Sequence, residues 1–309
     1  MPTDAARDSN GRLDVRGGIR FRHLDACPCC GCPELAHALD GGNDFETALG
    51  SFDVRECRQC GIQFTVPQPL YEDVHLLYDD RSSHDFDDSR SFVDRLRRFN
   101  HFRQLKRLPH RVRGKSGVCL DYGCGAGFFT RSMRQYLAGR VIGSDFHEDP
   151  PPLLAAAPDI EYVPDSSLDM LQGCLDLIVC RNVLEHTVDP MGFIARLHRL
   201  LKTGGIVLIE VPNRRSSWTR LLGRYCFNYY LPRHVYHYDE SSLARQLVSF
   251  IIIGRWLDHS PILGKSFGSM LGRNVSGYAL AGLLLLPLQL IVDVPLGRSS
   301  QLVVIAERT

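Results

Sequence analysis

The densest chemistry in this 309-residue sequence lies in Val118-Cys119-Leu120-Asp121-Tyr122-Gly123-Cys124-Gly125-Ala126-Gly127-Phe128-Phe129-Thr130. A short apolar run delivers an acidic residue, and glycines then alternate into the first turn of a helix. Glycine has no Cβ, so main-chain N–H groups at such a strand–helix turn can approach a ligand closely. The D-x-G-x-G-x-G spacing differs from the G-x-G-x-x-G that seats a pyrophosphate, which disfavours a nicotinamide dinucleotide. No Lys-Ser/Thr pair follows to hold a triphosphate, so the turn suits a small zwitterionic ligand. A nucleoside would need a second contact, an acidic residue closing the next strand and accepting from ribose hydroxyls. Asp145, at the end of Val141-Ile142-Gly143-Ser144-Asp145 and twenty-four residues after Asp121, supplies it.

A second constellation precedes the first. Cys27-Pro28-Cys29-Cys30-Gly31 and Cys57-Arg58-Gln59-Cys60-Gly61 are two C-x-x-C-G turns separated by twenty-six residues. Each turn aims two thiolates at one point, and two turns complete a tetrahedral shell for zinc. The predicted ligands are Cys27, Cys30, Cys57 and Cys60; Cys29 and Cys32 are spare, and Cys29 could compete for the ion. A closed four-thiolate shell has no open position, so this zinc would be structural. Phe45 to Val54 reads as a short hairpin between the turns, consistent with a zinc ribbon over residues 19–67.

The elements that must carry these residues alternate in type. Strands are expected at 117–122, 140–145, 160–163, 175–180 and 206–211, with helices at about 126–138, 153–157 and 190–201. Short connections between βα units imply a parallel, doubly wound sheet that binds its ligands beyond the carboxyl ends of the strands. Gly123, Gly125, Gly127, Asp145, Asp165 and Asn182 all fall at such ends or in the loops leaving them.

The glycine run, Asp145, the strand Leu175–Val179 leading to Asn182-Val183-Leu184-Glu185-His186, and Leu201-Lys202-Thr203-Gly204-Gly205 before Ile206–Asn213 together resemble the class I S-adenosylmethionine-dependent methyltransferases. The resemblance covers roughly residues 115 to 255. It implies an α/β, Rossmann-like seven-stranded, mostly parallel sheet, with strand six at 251–257 and an antiparallel strand seven at 301–306. It also implies S-adenosyl-L-methionine as cofactor. The glycines and Asp121 would cradle the methionine end, Asp145 the ribose, and Asp165 with Ser166 the adenine. In the resembled family the Glu185-His186 pair is a helix-entry feature, its histidine more often positional than catalytic. Pro232-Arg233-His234-Val235-Tyr236-His237-Tyr238, ahead of Asp239 as a helix N-cap, resembles the subset of these enzymes that carries an N-terminal zinc ribbon. That subset includes enzymes acting on nucleotide-linked sugars and small secondary metabolites. His234 or His237 is the candidate base, since a histidine in a mostly apolar lid can be neutral near pH 7.

The remaining segments bound the partners. Net charge is +1, so no global field draws the protein to nucleic acid or membrane. The polar stretch 1–18 lacks the apolar core of a signal peptide and is expected to be a disordered tail. Eleven cysteines without an export signal predict reduced thiols in the cytoplasm. Residues 68–115 form a linker: seven acidic residues and one basic over 68–89, then ten Lys/Arg and one Asp over 90–115. In the second part Phe92, Leu96, Phe99, Phe102, Leu105 and Leu108 recur at helical spacing, predicting an amphipathic helix with a basic outer face.

The methyltransferase domain is expected over 116–309, with a lid at 213–250 and an apolar insertion at 259–298. Five arginines in the lid (Arg214, Arg215, Arg220, Arg224 and Arg233) suggest an anionic small-molecule acceptor, methylated at oxygen or carbon. Ala279 to Val292 is apolar except for Gln289 and short for a membrane span, so a core or homodimer helix is expected, with membrane-surface contact as the alternative. An RNA-directed methyltransferase is a rival reading, although Arg181-Asn182-Val183-Leu184 is not the [DN]-P-P-[YF] turn of base-amine methylation. A non-catalytic adenosylmethionine-binding module is the other rival.

Overall fold

The computed structural model describes residues 14–78, 92–113, 117–272 and 279–309. Two small antiparallel sheets open the chain. One joins β1 (Asp14–Arg16), β2 (Ile19–Arg22) and the later β6 (Gln68–Pro69); the other contains β3 (Leu35–Asn43), β4 (Ser51–Cys57) and β5 (Gln63–Val66). β1 falls in the stretch assigned to the tail on composition. It is ordered because Arg16 binds the Asp14 carboxylate and the Ser51 carbonyl, and lies over the Phe21 and Phe52 rings. The expected hairpin is also displaced. Residues 44–50 form its loop, since the Asp44 carboxylate accepts from the amides of Glu46, Thr47 and Leu49 and so competes with strand pairing.

Part of the acidic linker, residues 79–91, lies outside the described residues. The basic segment is helical over α1 (Phe92–Leu105) and α2 (His110–Arg113). Its inward face includes the expected Phe102, Leu105 and Leu108, with one exception and two polar additions. Phe99 is 67% exposed, whereas His101 and Gln104 are buried. His101 Nδ1 meets Ser132 Oγ at 2.9 Å, and the Gln104 amide donates to Glu210 and Asp258 at 3.0 and 2.9 Å. Buried carboxylates on the sheet need donors, and this helix supplies one where a phenylalanine cannot.

The main domain runs β7 (Val118–Tyr122), α3 (Phe128–Tyr136), β8 (Arg140–Ser144), α4 (Pro152–Ala155), β9 (Glu161–Tyr162), β10 (Leu175–Arg181), α5 (Pro190–Leu200) and β11 (Leu201–Pro212). It continues with α6 (Ser217–Leu222), β12 (Tyr236–His237), α7 (Glu240–Gln246), β13 (Phe250–Asp258), α8 (Leu263–Met270), α9 (Ala279–Leu296) and β14 (Gln301–Arg308). The sheet order is β13-β14-β11-β10-β7-β8-β9, with β14 antiparallel to both neighbours and the other pairings parallel. This is the expected α/β, Rossmann-like, seven-stranded and mostly parallel sheet. Leu177, Ile178, Val179 and Cys180 have no exposed surface, as a strand covered on both faces requires. β11 begins at Leu201 rather than after the Gly204-Gly205 pair, and a register shift beside Leu175 absorbs the extra residues.

The lid is not a free flap. Its strand β12 adds to the edge of the ribbon sheet, with Tyr236 opposite Phe64 and His237 opposite Gln63. The Thr65 amide donates to the Val235 carbonyl at 2.9 Å, and Thr65 Oγ1 donates to the His234 carbonyl at 2.7 Å. Arg214, 9% exposed at its side chain, ties both units by donating to Glu56 Oε2 at 2.7 Å, the Gly61 carbonyl at 3.0 Å and Asp239 Oδ2 at 2.6 Å. Asp239 also caps α7, accepting from the Ser242 amide at 2.8 Å.

The apolar insertion folds back as α8 and α9, with residues 273–278 outside the described set. Leu285 and Val292 pack against Ile262, Leu263 and Trp218, while Leu284, Leu288, Ile291 and Val294 stay exposed. Among the described residues no helix is long and apolar enough to cross a membrane.

Removing one partner of a buried charge pair leaves the other uncompensated, a loss of about 3–5 kcal/mol. Arg214→Met should therefore lower unfolding free energy in urea by about 3 kcal/mol. It should also speed hydrogen exchange at the Thr65 amide, while the amides of β7 and β10 keep their protection.

Candidate active site

β7 ends at the point where the sheet switches direction, its neighbours β8 and β10 leading to opposite edges. The loop after β7 is pinned to β8, since the amides of Gly123 and Cys124 both donate to the Ser144 carbonyl at 2.8 and 2.9 Å. Gly123, Gly125 and Gly127 all have positive φ, which favours glycine. Their surroundings differ. A Cβ on Gly123 would collide with Val183 at 2.3 Å, and one on Gly127 with Leu154 at 2.6 Å, whereas one on Gly125 would meet nothing within 4 Å. Two of the three glycines therefore serve packing, and only Gly125 leaves bare main chain facing open space.

Asp145 closes this cradle. Its Oδ2 accepts from the Gly125 amide at 2.8 Å and its Oδ1 from the Phe146 amide at 2.9 Å. A carboxylate has about four lone-pair positions, so hydroxyl donors can still be accepted. Asp121 sits beneath the loop and does not reach its surface. It is 3% exposed, accepts from Thr130 Oγ1 at 2.6 Å, and burial pushes its carboxyl up to about 6. Its place is that of a brace between β7 and α3.

Asp165 follows β9, and its amide donates to the Asp145 carbonyl at 2.9 Å. Arg196 holds it, donating to the main-chain carbonyl at 2.7 Å and to Oδ1 at 2.8 Å, and the Tyr122 hydroxyl also donates to Oδ1. Ser166 beside it is exposed. Asn182 is exposed at the end of β10 with φ +51°, its amide donating to the Glu210 carbonyl at 2.8 Å.

The two lid histidines are both buried. His237 Nε2 lies 3.0 Å from Thr65 Oγ1 at the ribbon joint, and burial lowers its pKa to about 3. Its ring is thus taken up by the joint between β12 and the ribbon. His234 points the other way. Its Nδ1 meets the Asn228 carbonyl at 2.8 Å, and its Nε2 lies 4.0 Å from Glu185 Oε1. Burial holds its pKa well below the ordinary value.

Glu185 and His186, which the sequence placed at a helix entry, form a one-turn helix directly below the lid. Glu185 is 1% exposed, and burial raises its carboxyl to about 8. Tyr78 completes the cluster, a residue that no motif marked. Its ring lies 6.0 Å from Phe146, next to Asp145, and 5.8 Å from His186. It comes from the linker, and only the path of the chain brings it over the site.

The lid arginines prove to be clamps. Arg214 and Arg215 bind Asp239, Arg233 binds Glu46, and Arg224 donates to the Gly41 carbonyl. Arg214, Arg224 and Arg233 thereby join lid to ribbon, whereas Arg215 pairs within the lid.

In the ribbon, the Sγ atoms of Cys27 and Cys60 lie 3.6 Å apart and those of Cys30 and Cys57 3.5 Å apart. Thiolates on one tetrahedral zinc, with Zn–S of about 2.3 Å, lie roughly 3.8 Å apart, so these four fit such an ion. The two turns are twins: the amides of Gly31 and Gly61 donate to the Cys27 and Cys57 carbonyls at 2.8 and 2.9 Å, with φ of +73° and +72°. Cys29 lies outside the cluster, accepting from the Gln246 amide at 3.4 Å.

A family model described as a methyltransferase domain matches residues 95–250, half of the chain. The chain belongs to the class I S-adenosylmethionine-dependent methyltransferases. It is similar to the ubiquinone biosynthesis O-methyltransferase of Pectobacterium atrosepticum, at 28% identity over 54% of this chain and 70% of that one. The enzyme of the same name from Erwinia tasmaniensis is 28% identical over 46% of this chain and 60% of its own length. That of Pseudomonas aeruginosa is 32% identical over 32% and 45%. Among solved structures, a methyltransferase from Mesorhizobium loti aligns over 67% of this chain and 97% of its own, at 21% identity and a TM-score of 0.45. The 1,6-didemethyltoxoflavin-N1-methyltransferase of Burkholderia thailandensis aligns over 80% and 96%, at 18% identity and a TM-score of 0.48.

In this methyltransferase the brace at Asp121 has a pH signature. Its folded-state pKa of about 6 lies above the ordinary 3.8, so the folded state holds the proton more tightly than the unfolded chain. That contribution is fully present below about pH 4 and is lost as pH rises through about 6. Asp121→Asn keeps an acceptor for Thr130 and removes the ionisation. The variant should exceed the parent in unfolding free energy by about 2–3 kcal/mol above pH 6, with the difference shrinking toward pH 4. Urea unfolding of both proteins across that range checks it.

Proposed function

We propose that this methyltransferase carries a methyl group from S-adenosylmethionine to a hydroxyl oxygen of a small molecule held under the lid. The observation that carries the reading is the Gly125 cradle, bare main chain over open space with the Asp145 carboxylate at its rim. Bound adenosylmethionine supplies a methyl group already activated on a sulfonium. The chain then has to align acceptor and methyl carbon and exclude water, a contribution of proximity and orientation. Gly123, Gly125 and Gly127 shape the seat of the methionine portion, with Asp121 bracing it from beneath. Asp145 takes the ribose hydroxyls. Asp165, held by Arg196, and Ser166 border the adenine, and Asn182 lines the loop after β10.

Oxygen is favoured as the atom methylated because the curated relatives are named O-methyltransferases. A hydroxyl must lose its proton as it attacks, and a nearby base assists. His234 suits that role, since its buried ring is neutral and its Nε2 faces inward beside Glu185. The Cys27, Cys30, Cys57 and Cys60 shell holds a structural zinc, which fixes the ribbon edge to which the lid strand is joined.

Two measurements test the reading. Gly125→Ala adds a methyl group that meets no protein atom. It should cost about 1 kcal/mol of stability, for a residue at positive φ, yet weaken adenosylmethionine binding at least tenfold by calorimetry. Unchanged affinity in a folded variant would remove the cradle from the site. Incubation of the parent with methyl-labelled adenosylmethionine and pooled small metabolites should place label on a hydroxyl-bearing compound; label in RNA alone would overturn the acceptor class.

A further inference from the structure

Below the lid, one buried carboxylate lacks every partner it should have. Glu185 is 1% exposed, and among the described residues neither of its oxygens is hydrogen-bonded. Buried carboxylates are normally paired or bonded, because desolvation is costly. The groups facing it are two imidazoles. The Nε2 atoms of His186 and His234 each lie 4.0 Å from Glu185 Oε1, and the two rings meet edge to face at 4.7 Å.

The main chain determines what those nitrogens offer. His186 Nδ1 lies 2.9 Å from the Arg233 carbonyl, and His234 Nδ1 lies 2.8 Å from the Asn228 carbonyl. A carbonyl can only accept, so in both rings the hydrogen sits on Nδ1. Tyr78, whose hydroxyl oxygen lies 2.8 Å from His186 Nδ1, can share that same hydrogen. Each Nε2 then turns a lone pair toward the carboxylate. Three acceptors converge, and among the described residues no hydrogen-bond donor to the carboxylate answers them. Anchoring a histidine by its second nitrogen on a carbonyl is how metal-ligating imidazoles are oriented.

We propose that Glu185, His186 and His234 form a site for a divalent first-row transition-metal ion, of the two-imidazole, one-carboxylate kind. The three ligand atoms lie within 4.8 Å of one another. Ligand lengths of about 2.1 Å put adjacent ligand atoms about 3 Å apart, so side-chain shifts of roughly half an ångström each close the shell. Imidazole and carboxylate together suit zinc, iron, cobalt and nickel better than magnesium or calcium. Three protein ligands leave positions for an oxygen of the acceptor, so the site would take acceptors whose hydroxyl can ligate a metal; in that loaded state the His234 Nε2 lone pair is a ligand, and the ion in place of that ring would ease loss of the hydroxyl proton. This last step rests on the acceptor reading above; the cation site itself does not.

The site is separable from the ribbon by spectroscopy. The full chain, its ribbon loaded with one zinc per molecule, is titrated with cobalt(II) and its visible spectrum recorded. The expected result is one further equivalent of cobalt, showing d–d bands without the thiolate charge-transfer bands of a cysteine site. Glu185→Gln, which keeps the side-chain volume, and His234→Gln should each weaken that uptake at least tenfold while retaining the ribbon zinc and adenosylmethionine binding. The parent titration stands even if a variant fails to fold. No second equivalent in the parent, or equal cobalt affinity in folded Glu185→Gln, overturns the proposal. Because the titration uses no methyl acceptor, absent label transfer with intact cobalt binding would count against the acceptor reading alone.

Discussion

Two residues of the lid, Tyr236 and His237, hydrogen-bond along the edge of the ribbon sheet, and the arrangement of the site depends on that joint. An open sheet edge is a row of unmet donors and acceptors. Here the ribbon's edge is filled by a strand from a distant part of the same chain. The joint carries His234 to Glu185 from above, since the Val235 amide donates to the Glu185 carbonyl at 2.7 Å and the Thr65 amide to the Val235 carbonyl at 2.9 Å. A residue between two such bonds has little freedom to move. The cysteine turns thus act on the site at a distance, by holding the strand on which the lid is built.

Charge follows the same logic. Two of the five arginines that looked available for an anionic ligand are buried in fastening the lid: Arg214 to Glu56 and Asp239, Arg233 to Glu46. A buried guanidinium needs several acceptors, and these provide them. What the clamps enclose is a pocket of neutral histidines around an unpartnered carboxylate. The glycine cradle presents bare main chain at Gly125 and a carboxylate instead. The two halves of the site therefore differ in kind, one of bare main chain beside a carboxylate and the other of imidazoles around a buried carboxylate.

Much of the sheet was legible from residue order alone. Leu175 to Cys180 is apolar apart from Asp176, and so near-continuous a run fits a strand buried on both faces. Asp189 and Asp239 each precede a helix, and each caps it, accepting from Gly192 and Ser242 at 2.9 and 2.8 Å. The readings that shifted were those where a polar group outcompeted a local pattern. Asp44 converted half of a hairpin into loop, and on the inner face of α1 His101 meets the Ser132 hydroxyl while Gln104 serves two carboxylates, with Phe99 left outside.

Local spacing carried the information for what neighbouring residues do together: two C-x-x-C-G turns, alternating glycines, an acid closing the next strand. Such motifs are short in sequence and short in space, so their geometry follows from backbone conformation. The glycines already show the limit. All three share the left-handed backbone, but which of them faces open space depends on Val183 and Leu154, side chains that come from other elements. The convergence of Tyr78, Glu185, His186 and His234 was not written in any spacing. It arises because a linker, a strand end and a lid meet once the ribbon edge is filled, and contacts over such separations are set by packing, not by periodicity.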